Sequence, residues 1–76
     1  MREEELEIAI LAAHDDEDFE KLATLYHLAS QLKSQSGDSA EAAYLLTQAF
    51  VFALDCGMPL ADELRAELVS LGREVF

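Results

Sequence analysis

Residues 37–59 read GDSAEAAYLLTQAFVFALDCGMP, and this stretch decides the fold. Gly37 tolerates left-handed backbone and so suits the end of a preceding helix. Asp38 can cap the next helix with its carboxylate, and Glu41 three residues on completes the spacing of a capping box. From there to about Cys56 the chain is built of good helix formers. Gly57-Met58-Pro59 then closes the helix, with Gly57 just past its end and Pro59 suited to the first position of another. Ala42, Leu46, Ala49, Phe50 and Ala53 fall on one side of this helix, and Leu45, Val51 and Phe52 fall on others. A helix that is apolar nearly all round must be covered on more than one face. It is therefore the centre of the fold, an interface, or both.

Helical spacing continues in both directions. Upstream, about Asp16 to Gln35 carries a stripe of Phe19, Leu22, Leu25, Tyr26, Ala29 and Leu32, with the aspartates before Phe19 as natural caps. About Glu3 to Ala13 places Leu6, Ala9, Ile10 and Ala13 on one face. Glu3, Glu4 and Glu5 sit in its first turn, where the helix dipole favours negative charge. Downstream, about Pro59 to Glu74 repeats Ala61, Leu64, Leu68, Leu71 and Val75 at three- and four-residue steps. β-branched residues are few and scattered, so strand signals are nearly absent. The pattern predicts an all-α fold: one domain over residues 1–76, a small antiparallel bundle of about four helices joined by short connections. Leu25, Ala29, Leu46, Ala49, Leu64 and Leu68 are its expected core.

A chain of 76 residues has a marginal core. Disulfides and structural metals are the usual remedies. Cys56 is the only cysteine, and zinc-ligand spacing is missing, so neither applies. Helix packing and self-association remain, and a hydrophobic content of 51% suits both. The net charge of −11 is uneven: residues 1–20 hold nine acids against Arg2, whereas residues 21–76 hold seven against four bases. Such a surface repels phosphate backbones and anionic lipid, which argues against nucleic-acid and membrane partners. The longest strongly apolar, charge-free run, residues 42–54, is short of the roughly 20 residues a membrane helix needs. The opening Met-Arg-Glu-Glu-Glu lacks the regions of a signal peptide, and a lone thiol suits a reducing compartment, so a cytoplasmic protein is expected.

Chemistry-bearing residues do not assemble into a site. The run His14-Asp15-Asp16-Glu17-Asp18 lacks the glycine turn and late glutamate of a calcium loop. His27 has no evident orienting partner or nucleophile. Cys56 falls at a helix C-terminus, where the local dipole raises a thiol pKa. Gly37, Gly57 and Gly72 are isolated, so no phosphate-cradling loop exists. The expectation is a non-enzyme without cofactor or metal.

From about Leu22 to Pro59 the chain resembles a tetratricopeptide (TPR) helical hairpin. The resemblance is carried by Leu28-Ala29, Gly37-Asp38, Glu41-Ala42, Ala49 seven residues on, and a proline after the second helix. It implies a TPR-like helix-turn-helix at the centre of the fold and a peptide-binding face on its first helix, which here would include Ala23, Tyr26, Ser30 and Lys33. Only one such hairpin is present, whereas repeat arrays need about three units, so the reading points to a self-contained bundle or a unit that oligomerises. Covering the third helix with one short charged helix and one single-striped helix leaves an aromatic uncovered, Phe52 or Phe76. The expected function is a protein-interaction or scaffold module, a homodimer pairing through the third and fourth helices. The alternative is an acidic regulatory protein that occupies a basic surface on a partner.

Overall fold

The computed structural model describes residues 2–72. They form four helices: α1 (Glu3–Asp15), α2 (Phe19–Gln35), α3 (Ser39–Asp55) and α4 (Leu60–Ser70). Three of the connections are built alike. The N–H of Asp18 bonds to the carbonyl of Ala13 at 2.9 Å, that of Asp38 to Lys33 at 2.9 Å, and that of Met58 to Ala53 at 2.9 Å. One residue earlier, Glu17, Gly37 and Gly57 each donate to the carbonyl three residues back at 3.1 Å. This paired pattern ends a helix through one left-handed residue. The φ values are +53° at Glu17, +87° at Gly37 and +66° at Gly57. The turns therefore recur at positions 17, 37 and 57, and fold each helix back along the one before it.

Capping explains where the helices begin. Asp18 accepts the N–H of Lys21, and Asp38 accepts that of Glu41, each at 3.2 Å. The capping box expected at Asp38 closes on one side only, because the N–H of Asp38 is already bonded to Lys33. α4 stops earlier than expected. Its helix ends at Ser70, and Gly72 takes a φ of +79° with its N–H on the carbonyl of Val69. Leu71 leaves the core stripe and is exposed.

The packing is extensive only between consecutive helices, and the α2–α3 contact is the largest. Leu6 and Ala13 of α1 meet Leu22 and Leu25 of α2 in one buried cluster. Ala23 of α2, Leu46, Ala49, Phe50 and Ala53 of α3, and Ala61, Leu64 and Leu68 of α4 form the other. The alanines of α2 and α3 let the two helices approach closely. Of the expected core, Leu25, Leu46, Ala49, Leu64 and Leu68 are buried, whereas Ala29 is half-buried beside the α1 cluster. Complete burial of Leu22, Leu64 or Leu68 stabilises the fold by about 1.5–3 kcal/mol each. The result is a flat all-α bundle with principal extents of 31 × 30 × 14 Å, with α1 and α4 flanking the central hairpin.

Candidate functional site

The residues expected to form a peptide face on α2 are engaged within the chain. Ala23 is fully buried against α3 and α4. Tyr26 is half-buried, and its hydroxyl lies 3.0 Å from His14 Nε2. Burial raises its pKa above the ordinary value, and the nearby Tyr44 adds to the effect. Ser30 is buried and donates to the carbonyl of His27 at 2.7 Å. Lys33 Nζ sits 2.6 Å from Glu3 Oε1, joining the end of α2 to the start of α1. The hydrogen bond to Glu3, reinforced by that carboxylate's charge, raises the Lys33 pKa.

Phe52 is not the uncovered aromatic of α3. Its ring stacks between Phe19, at 5.9 Å and 7°, and Tyr26, at 5.7 Å and 11°. His14 approaches it edge-on at 6.1 Å. The cause is tertiary: the α1–α2 turn carries His14 and Phe19 over the second half of α3. Such aromatic pairs are worth about 0.5–1.5 kcal/mol each beyond their buried area. Phe76 lies outside the described residues.

The side chains left in solvent are different ones. On α3, Tyr44 is 59% exposed, Val51 42% and Leu54 54%. With Thr47 they occupy one stripe of the helix, opposite the buried Leu46, Ala49 and Ala53. On α1, Ile8 and Leu11 are 68% and 66% exposed, opposite Leu6 and Ala13. Leu6 and Ala13 pack on α2, and Leu46, Ala49 and Ala53 pack with Ala23 of α2, so both exposed sets look away from α2. α1 and α3 also approach one another, because Ile10 and Leu45 line one groove together with Ala29 and Leu32 of α2, and Phe52 packs on the α1–α2 cluster. Periodicity alone could not find this stripe, since α3 offers apolar residues in nearly every direction.

Charge divides along the same line. α1 and α3 contain no Lys or Arg, while carrying Glu3, Glu4, Glu5, Glu7, Asp15, Glu41 and Asp55. α2 and α4 carry Lys21, Lys33 and Arg65 among their acids. His27 Nε2 pairs with Glu67 Oε2 at 2.9 Å and ties α2 to α4, while the Ser30 hydroxyl is turned to a backbone carbonyl rather than to the imidazole. Cys56 is exposed, and its thiol pKa is raised by local desolvation and then by Glu20, Asp55 and Asp18. Among the described residues, no three His, Cys, Asp or Glu side chains are placed to hold a metal ion. A groove of about 490 Å³ between α2, α3 and α4 is open and lined by both serines and leucines, among them Ser30, Ser34, Ser39 and Leu46. Among the described residues, no helix is long and apolar enough to cross a membrane. Compared with family models, with curated proteins and with solved structures, the chain matches none.

Proposed function

We propose that this chain is a non-catalytic protein-interaction module of the cytoplasm, and that the exposed stripe Tyr44-Val51-Leu54 on α3 is its contact surface. The observation that carries the reading is that the most apolar helix of the fold keeps three large side chains in solvent on a single face. Contiguous exposed apolar side chains rimmed by polar ones mark binding surfaces. The resemblance of residues 22–59 to a TPR hairpin points to the same class of function, with the contact moved from α2, whose face is engaged internally, to the outer side of α3. Two-fold pairing through this stripe, the homodimer expected from sequence, is the competing occupant of the same surface.

The test is the double variant Val51→Glu, Leu54→Glu. Both positions are exposed, so the variant should melt like the wild type. It should also lose the proteins that the wild-type chain captures from native lysate. A capture pattern unchanged by the two charges refutes the assignment of the surface.

A further inference from the structure

We infer that the occupant of the α1–α3 face is a cationic amphipathic helix: a segment with two or three apolar residues at helical spacing, flanked by Lys or Arg. The inference rests on reading the α3 stripe as a contact surface, and it adds the chemistry of the partner. The apolar part of the face consists of Ile8 and Leu11 on α1 and of Tyr44, Val51 and Leu54 on α3. α1 and α3 both run antiparallel to α2, and the exposed residues sit on the two helices that flank the trough lined by Ile10 and Leu45. An amphipathic helix binds such a surface through residues spaced three and four apart.

The charge around the trough selects the partner. The two helices that build the face carry seven carboxylates and no Lys or Arg. Their C-termini lie at the same end of the molecule, where the negative ends of both dipoles add to Asp15, Asp16, Asp18 and Asp55. Asp18 and Glu20 open α2 and Asp55 closes α3, so the antiparallel hairpin gathers them at that end, where they help to raise the Cys56 thiol pKa. Lys33, which lines the opposite end of the trough, is held by Glu3. A second copy of this chain would bring together two chains of net charge −11 through their most acidic helices, so like charges would oppose the contact. A cationic helix satisfies both parts of the surface, with apolar residues in the trough and basic residues over the rim.

Three fluorescein-labelled synthetic peptides of equal length test this by anisotropy against the full chain: an amphipathic Leu/Lys helix, its Leu/Glu counterpart, and a Leu/Lys scramble of the same charge without an apolar face. The Leu/Lys helix should bind at least about tenfold more tightly than either control, and its affinity should fall as salt rises. The variant Val51→Ser, Leu54→Ser, which keeps the net charge, should weaken that binding by roughly tenfold or more while retaining the wild-type circular dichroism. Equal binding of the scramble would reduce the effect to bulk charge and overturn the inference, as would equal binding of the Leu/Glu peptide. Sedimentation equilibrium provides the competing outcome: a wild-type chain mostly dimeric at about 100 micromolar, and monomeric with the two serines, would give the face to a second copy. Lysate capture that depends on Val51 and Leu54, together with no binding of the Leu/Lys helix, would leave the contact surface standing and remove the cationic partner.

Discussion

Glu17 is the one described residue other than glycine with positive φ, and replacing it with glycine should stabilise the protein. It occupies the left-handed position that Gly37 and Gly57 occupy in the two matching turns. Left-handed backbone costs an L-residue roughly 1–2 kcal/mol. Glycine avoids that cost but loses more backbone entropy on folding, which returns roughly 0.5–1 kcal/mol. The Glu17 carboxylate lies between the negative end of α1 and the positive start of α2, whose dipole effects oppose one another, so relief of its repulsion with Asp15, Asp16 and Asp18 adds only about a few tenths of a kcal/mol. The net expectation for Glu17→Gly is a gain of about 1 kcal/mol, or a rise in Tm of roughly 4–8 °C for a domain of this size. Glu17→Gln separates the two contributions, since it removes the charge and keeps the strained backbone. The mirror experiment is Gly57→Ala. No atom lies within 4 Å of the added methyl, so its cost reflects backbone conformation alone and should be roughly 1 kcal/mol. Thermal and urea melts followed by far-ultraviolet circular dichroism measure all three. A Glu17→Gly variant no more stable than Glu17→Gln, or a Gly57→Ala variant as stable as the wild type, would refute the reasoning.

Two further outcomes follow from the core and from the thiol. Leu64→Ala should cost about 3–5 kcal/mol in urea unfolding, because the small neighbours Ala23, Ala49, Ala53 and Ala61 cannot move in to close the cavity. A loss below about 1 kcal/mol would show that the site is not a packed core. Cys56, with its pKa raised, should be alkylated more slowly at pH 8 in the folded chain than in denaturant, and Glu20→Gln should speed the folded reaction. Equal rates folded and unfolded would mean that the carboxylates around the thiol do not act on it.

The helices were legible wherever a boundary carried its own chemistry. Gly37 and Gly57 sit in the left-handed positions their residue type suggests, and Asp18 and Asp38 cap the helices that follow them. Gly72 carried the same signal, and taking it as a helix interior extended α4 past its real end at Ser70. The turn at Glu17 was visible only as a loss of periodicity, because the residue there does not prefer the conformation it adopts. The outward face of α3 was not legible at all. Phe52 and Leu54 are both strongly apolar by residue type, and their fates differ because the end of α1 and the start of α2 bring His14 and Phe19 over Phe52 while Leu54 stays exposed. Contacts of that kind depend on where neighbouring helices end, not on the period of any one of them.

The restriction of extensive packing to consecutive helices has a kinetic consequence. Each such contact is closed by a single short turn, so little chain entropy is lost before a contact forms. Low contact order of this sort goes with folding in about microseconds to milliseconds. The α2–α3 hairpin, with the largest contact, is the natural nucleus, and α1 and α4 can then add to it in either order. Amide exchange should reflect the same hierarchy, with the outer helices opening at lower free energy than the hairpin they flank. A partner that lies across α1 and α3 would then bridge the nucleus and one of its late additions, coupling its own binding to the docking of α1.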